Sequence, residues 1–451
     1  MGRRSHTRVL NAWMNGLLVG EWRILRNNAM EFQYDQSWLD NREARRPLSL
    51  SLPLPVENAP LRGPVVENYF DNLLPDSDPI RRRLQSRFHT ESQGAFDLLA
   101  AIGRDCVGAL QLLPSEVVPT GITEILARPL TDAEIEQSLI NTVTPNRLGR
   151  ADDDDDGGDD DFRISIAGAQ EKTAFLFHEE QWCRPLGATP TTHIFKLPLG
   201  LVGARQADMR TSVENEWLCA RLLEQFGIPV PRSEIKVFGN QKVLIVERFD
   251  RRYVAEQNYW LRLPQEDFCQ VLGKPSSAKY EKDNGPGMLE IARVLQVSET
   301  PERDVDLFMR AQTLFWMLAA TDGHAKNFSI ALHPGGRFQL TPIYDVLSVW
   351  PVVGTAANTL DYLKLRMAMA WLGDTNRHYR VRDVQRRHLV ETARRCGYGE
   401  RIEAMLQELV QQVPIAIAKV GGQLPAGFPM DVFETISDGL QRNARKIRDV
   451  H

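Results

Sequence analysis

The run Ala320-Thr-Asp322-Gly-His324-Ala-Lys326-Asn327 constrains this chain more than any other stretch. It sets an acid and an amide five positions apart, directly after an apolar periodic segment. Leu307, Phe308, Ala311, Leu314, Phe315, Leu318 and Ala319 recur at i, i+3 and i+4, which predicts a core-facing helix over 306–320. A rigid helix that stops at Asp322 fixes where that carboxylate stands. Asn327 then opens an apolar run, His333-Pro-Gly-Gly-Arg337 reads as a turn, and the chain returns from Phe338. That hairpin would carry a second acid, Asp345 in Ile343-Tyr344-Asp345-Val346, back beside Asn327. Taken singly, each acid has a bland alternative. Asp322 could be a solvated residue in a helix C-terminal turn with Gly323 left-handed, and Asp345 a turn or cap residue.

The set has a chemistry that its members lack. Phosphoryl transfer from ATP needs a carboxylate to accept the proton of the attacking hydroxyl, and an Asn and a second Asp to hold Mg²⁺ against the phosphates. Asp-x-x-x-x-Asn, followed about two dozen residues later by Asp, is the order in which protein kinases carry these groups. Mg²⁺ favours one or two protein oxygens plus phosphates and water, which Asn327 and Asp345 would supply.

Lys196 adds weight. It lies in His193-Ile-Phe-Lys-Leu, an apolar strand pattern, where a lysine must snorkel out or meet an anion. Glu216, in a helix predicted over 213–226, could pair with it, with Glu214 and Glu224 as competitors. The segment Ile166-Ala167-Gly168-Ala169-Gln170-Glu171-Lys172 has one glycine, a sparse phosphate-loop signal, yet its small residues allow backbone N–H groups to approach phosphates. Ser165 precedes it. Glu247-Arg248-Phe249 ends the last strand before the helical half, where a hinge would offer backbone groups to adenine.

The rest of the chain supports a two-lobed plan. At 451 residues it is long enough for two or three domains. Strand and hairpin signals fill the first half, beginning with Asn15-Gly16 between apolar runs. Residues 47–64 hold five prolines, which exclude a regular helix, and their Ser-Leu-Ser-Leu alternation suggests a short strand. Helices are expected within 67–103 and, after 265, at 306–320, 383–397, 401–418 and 430–449. The expected units are an N-terminal α/β subdomain over 1–115, an acidic linker over 146–161, a strand-rich core over 162–249 and a helical half over 250–451. The eight aspartates of 152–161 repel one another and stay solvated.

Five scattered cysteines, none in a C-x-x-C pair, argue against a disulfide framework or zinc site. With no apolar signal segment or membrane-length stretch, the cytoplasm is the expected location. His324 lacks a second ligand at metal spacing and reads as an active-site or structural polar group. Residues 377–388 carry five arginines against one aspartate. Arg377, Arg380, Arg382 and Arg386 could touch nucleic-acid phosphates, although a solvated basic face is the commoner use of such a run.

At these residues the chain resembles the HipA-type serine/threonine kinase toxins of bacterial toxin–antitoxin pairs. The matching runs are Phe162 to Ala174, Pro190 to Pro198, Val246 to Arg252, Leu263 to Asp267 and Ala320 to Phe328, with Arg46 to Leu54 and Phe70 to Ser77 near the N-terminus. The resemblance implies an α+β, protein-kinase-like fold with an α/β N-terminal lobe and an all-helical C-terminal lobe. It implies Asp322 as catalytic base, Asn327 and Asp345 as Mg²⁺ ligands, and Lys196 with residues 166–172 around the ATP phosphates. Residues 247–249 would meet adenine, with His324, Lys326 and Tyr344 also at the nucleotide. It implies autophosphorylation of Ser165, whose added charge would eject the loop and switch the enzyme off. It further implies a translation protein as substrate, glutamyl-tRNA synthetase in the best-known case. A dimeric helix-turn-helix antitoxin of the HipB type would be the partner, bound together with operator DNA. A non-catalytic co-repressor scaffold and a small-molecule kinase are the competing readings.

Overall fold

The computed structural model describes residues 7–143, 165–168, 170–203 and 205–448. Ala169 and the acidic run of 146–161 lie outside the described residues.

Asn15 and Gly16 take φ of +47° and +82°, the backbone that a two-residue hairpin turn requires. They join strands Arg8–Met14 and Leu17–Ile24, the centre of an antiparallel five-stranded sheet. Its order is Leu61–Arg62, Met30–Tyr34, Leu17–Ile24, Arg8–Met14, Leu110–Pro114. Helices Pro64–Asp71 and Ala95–Ile102 cover one face, where Trp22 stacks on Phe70 at 3.9 Å between ring centroids. Each such buried aromatic contributes roughly 1.5–3 kcal/mol.

The strand expected within 47–64 is absent at Ser-Leu-Ser-Leu, where only an isolated Ser49–Leu52 bridge forms. Prolines at 47 and 53 remove ladder donors on both sides, so the serines turn inward instead. Ser49 Oγ and Leu50 N–H donate to the buried Glu266 carboxyl, the latter at 2.8 Å.

A second antiparallel sheet runs in the order Ser233–Phe238, Gln241–Glu247, His193–Lys196, Lys172–His178, Gln181–Pro185, Ala127–Pro129. Helix Ser212–Gln225 packs on it. So does Asp132–Val143, through Ile135 and Leu139 against Phe175, Phe195 and Phe238. This last helix was not expected. Its start is nonetheless written in the sequence. Thr131 Oγ1 accepts from Glu134 N at 3.3 Å while Glu134 Oε2 accepts from Thr131 N at 2.8 Å, a reciprocal N-terminal cap.

Helix Pro301–Met317 is the axis of the C-terminal half, wrapped by Arg386–Arg395, Arg401–Gly421 and Met430–Arg448. The expectation of an all-helical half needs an amendment, because three small antiparallel sheets lie in it. They pair Arg251–Val254 with Tyr259–Arg262, Ser329–Leu332 with both Gln265–Asp267 and Phe338–Leu340, and Arg366–Leu372 with Arg377–Arg380. Left-handed residues close two of these turns, Asn258 at φ +54° and Gly335 and Gly336 at +78° and +79°. Among the described residues no helix is long and apolar enough to cross a membrane.

Candidate active site

The helix that delivers Asp322 stops where Ala319 takes φ +48° and Ala320 N–H donates to Phe315 O at 2.7 Å. Ala319, not Gly323, is therefore the left-handed residue. Gly323 serves close packing instead, since a Cβ there would collide with the Phe315 ring. The Asp322 side chain is 64% exposed, so it is open to an incoming group. His324 N–H donates to Asp322 O at 2.7 Å and Asn327 Nδ2 to the same oxygen at 2.9 Å, closing the loop on itself.

Lys196 reaches from the second sheet to both halves of the site. Its Nζ is 2.5 Å from Glu216 Oε1 and 2.7 Å from Asp345 Oδ1. Glu214 is spent on Lys242 at 2.5 Å and Glu224 on Arg221 at 2.9 Å, which leaves Glu216 as the partner. Burial disfavours the Lys196 charge, but Asp345 and Glu216 outweigh it and raise its pKa. Burial likewise opposes ionising Asp345, yet Lys196 and Lys172 hold that carboxyl well below the usual range. Asp345 also has φ +61°, a backbone strain that a non-glycine residue bears only where the surroundings enforce it.

Ile166, Ala167, Gly168 and Lys172 line the same cleft as Lys196, Glu247, Arg248, Phe249, Asp322, His324, Lys326, Asn327, Tyr344 and Asp345. Gly168 has φ +113°, and a Cβ there would sit 2.5 Å from Lys172 Nζ, which donates to Ala167 O at 2.7 Å. Burial outweighs the pull of Asp345 on the Lys172 ammonium and, with Lys196 nearby, brings its pKa down to about 8. Phe249 and Tyr344 lie with ring centroids 5.7 Å apart in the cleft. His324 is buried, its Nδ1 has no hydrogen-bond partner among the described residues, and burial lowers its pKa, so it is neutral near pH 7.

Several expected residues stand elsewhere or are already engaged. Gln170 and Glu171 do not line this cleft. They face a neighbouring hollow beside helix Asp78–Phe88, where Arg83 pairs with Glu171 and Gln170 Nε2 donates to Leu197 O at 2.5 Å. Lys326 is in the cleft, but its ammonium bonds Asn72 Oδ1 at 3.0 Å and Asp76 Oδ1 at 3.1 Å. Ser165 is fully buried, with Oγ donating to Leu73 O at 2.8 Å and N–H to Asp105 O at 3.1 Å. Three of the five arginines of 377–388 are already paired: Arg377 with Glu281, Arg386 with Glu403, and Arg382 with Asp383 at 3.2 Å. Arg380 is exposed and has no ion pair among the described residues.

Other groups escaped the sequence reading. Asn72, Leu73 and Asp76, from the first unit, line the cleft. Tyr280 donates a hydrogen bond to Asp322 Oδ1. Asp105 anchors a buried cluster, with Arg251 at 2.9 Å, Arg262 at 3.2 Å and Arg248 at 3.4 Å. Arg248 also holds Asp250 at 2.8 Å, so its guanidinium braces the hinge.

The donor set suits a hard divalent cation. Among the described residues no three His, Cys, Asp or Glu side chains cluster at ligand spacing. Asn327, with Nδ2 already donated, keeps its Oδ1 for a cation, and Asp345 adds an ionised carboxylate.

Residues 164–417 match the family model of the HipA-like C-terminal domain, and residues 10–113 match that of the HipA N-terminal domain. The chain belongs to the HipA family. Y4mE of Sinorhizobium fredii, which carries a provisional kinase name, is 33% identical over 345 residues, covering 76% of this chain and 77% of that protein. The serine/threonine-protein kinase toxin HipA of Shewanella oneidensis is 27% identical over 360 residues, 76% of each chain. The solved complex of Shewanella oneidensis MR-1 HipA, HipB and operator DNA matches with a TM-score of 0.77 at 23% identity. That match covers 98% of this chain and 100% of the other. The HipA fold therefore extends through both lobes, and both of these relatives carry kinase names.

Proposed function

We propose that this chain is an ATP- and Mg²⁺-dependent serine/threonine protein kinase that acts as a growth-arresting toxin in the cytoplasm. The observation that carries the reading is the Glu216–Lys196–Asp345 chain of contacts, in one cleft with Asp322 and Asn327. A scaffold has no use for a buried lysine clamped between two acids at such a cleft.

In this reading the acceptor's hydroxyl oxygen bonds to the γ-phosphorus, the β–γ bridging oxygen leaves with its electron pair on ADP, and the hydroxyl proton passes to Asp322. Lys196, Lys172 and the N–H groups of 166–168 hold the phosphates. Phe249 and Tyr344 flank the base at the hinge. Asn327 and Asp345 would hold Mg²⁺, which neutralises phosphate charge when bound.

Glutamyl-tRNA synthetase is the substrate, a HipB-like helix-turn-helix dimer is the antitoxin, and the complex binds operator DNA. Ser165 is the autophosphorylation site. Its seat against Leu73 supports this role as a switch, because a phosphate has no room in a fully buried position. The test is incubation of wild type and Asp322→Ala with Mg-ATP and purified glutamyl-tRNA synthetase. Label on the synthetase with wild type alone supports the reading. An unlabelled synthetase beside self-labelled kinase would reassign the substrate.

A further inference from the structure

Asp322, the candidate base, is not free on both oxygens. Tyr280 Oη donates to Oδ1, while Oδ2 has His324 Nε2 no nearer than 4.0 Å. The tyrosine comes from a different segment, 42 positions earlier in the chain, and that segment is bolted to the catalytic loop. Ala325 N–H donates to Lys279 O at 3.2 Å, and Lys279 Nζ pairs with Asp76 at 2.9 Å. Tyr280 O accepts from Asp283 N at 2.9 Å and from Gly285 N at 3.0 Å.

The turn behind the ring is built tightly. A Cβ on Gly285 would strike Ala278 O and come within 2.7 Å of Tyr280 O, so only glycine lets the backbone fold back here. Next to the tyrosine, Glu281 accepts from Ala370 N–H at 2.5 Å and pairs with Arg377, pinning the turn to the strand Arg366–Leu372. The ring itself meets the edge of His324 at 5.1 Å, with Lys279 and Lys282 ammoniums 5.6 and 5.7 Å from its centroid. The backbone that carries the phenol is thus held on both sides, whereas the Asp322 carboxylate is a solvent-exposed side chain with rotational freedom to lose.

We infer that Tyr280 is the positioning residue for Asp322: its hydroxyl holds Oδ1 and fixes the carboxylate plane, leaving Oδ2 as the atom that receives the acceptor's proton. This rests on the kinase reading above. A base held to one orientation contributes through pre-organisation, so its loss lowers turnover and leaves nucleotide binding alone.

The test is Tyr280→Phe, which removes one oxygen and keeps the ring packing, beside Asp322→Asn. Phosphoryl transfer to glutamyl-tRNA synthetase, or to the kinase itself, should fall at least tenfold in kcat for Tyr280→Phe with KM for ATP unchanged. In protein carrying ¹³Cζ-tyrosine, the Tyr280 signal should move in Asp322→Asn, as a phenol that has lost an anionic acceptor does. Wild-type kcat in Tyr280→Phe, a Tyr280 signal indifferent to Asp322→Asn, or phosphate mapped onto Tyr280 itself would each overturn the inference while leaving the kinase reading intact. Wild type that transfers nothing overturns both.

Discussion

The Lys196 ammonium lies 2.7 Å from Asp345 Oδ1, joining the strand-rich lobe to the helical lobe across the cleft. Glu216 holds the same ammonium from the other side at 2.5 Å. Lys196→Ala would leave two acids facing each other in a buried setting, and Lys196→Met would keep the volume without the charge. Both should abolish phosphoryl transfer and cost roughly 3–5 kcal/mol of stability, the usual penalty for stripping one partner from a buried pair. Denaturant unfolding with a parallel ATP-transfer assay checks this. Stability within 1 kcal/mol of wild type would mean that the pair is solvated.

Ser165→Ala removes one hydrogen bond to Leu73 O and should cost about 1 kcal/mol while keeping nucleotide affinity. Ser165→Glu puts a larger, charged group into a site with no exposure and should drive the segment from its seat. Calorimetry with a non-hydrolysable ATP analogue should show binding by the alanine variant and none by the glutamate variant.

Glu266 gives a pH signature. Burial, with Asp267 next to it, outweighs the Ser49 and Leu50 hydrogen bonds and pushes its carboxyl up to about 8. Between the ordinary glutamate value of about 4.3 and about 8, the folded chain keeps a proton that the unfolded chain has released. Stability from this group is therefore full at the acid end of that window and falls as pH rises, by roughly 1.4 kcal/mol per unit. Glu266→Gln should flatten the slope. Urea unfolding at several pH values across the window reads it directly, and an unchanged slope in the variant would assign the effect elsewhere.

Asp105 should prove the most sensitive position outside the cleft. Its carboxylate holds Arg248, Arg251 and Arg262 in the interior, and Asp105→Ala would leave those guanidiniums short of one acid. A loss of about 3–5 kcal/mol is expected, together with weaker nucleotide binding, since Arg248 braces the hinge. Equal melting temperatures for variant and wild type would contradict this.

In the basic segment the arginines should separate by their partners. Arg380→Ala should weaken operator binding by the antitoxin complex and reduce its salt slope by about one. Arg386→Ala, whose guanidinium is spent on Glu403 and on Ile447 O at 3.0 Å, should act on stability instead. Filter binding over a salt series distinguishes the two.

How far the sequence could be read follows from how far apart the partners lie. Asp322 and Asn327 were legible because a periodic helix and a short loop fix them locally. Lys196 was legible because an apolar strand gives a lysine few options, but Glu216 could not be chosen over Glu214 and Glu224 until Lys242 and Arg221 were seen to take those two. Gln170 and Glu171 were assigned by continuity with Gly168, and Arg83, on a distant helix, draws Glu171 away. Asp105 and Tyr280 reach the cleft or its supports from segments with no periodic or motif signal of their own, and Asn72 and Asp76 lie in the Phe70 to Ser77 run, whose pattern does not say that it borders the cleft. The acids that quench Arg377 and Arg386 come from Glu281 and Glu403, which a local charge count does not connect.

The most direct measurement is intact mass with peptide mapping of wild type and Asp322→Ala after incubation with Mg-ATP. One added phosphate on Ser165 in wild type, absent from the variant, is the predicted result. Phosphate on Ser165 in both proteins would contradict the assignment of Asp322 as the base, and no phosphate on either, with no labelled glutamyl-tRNA synthetase, would contradict the kinase reading itself.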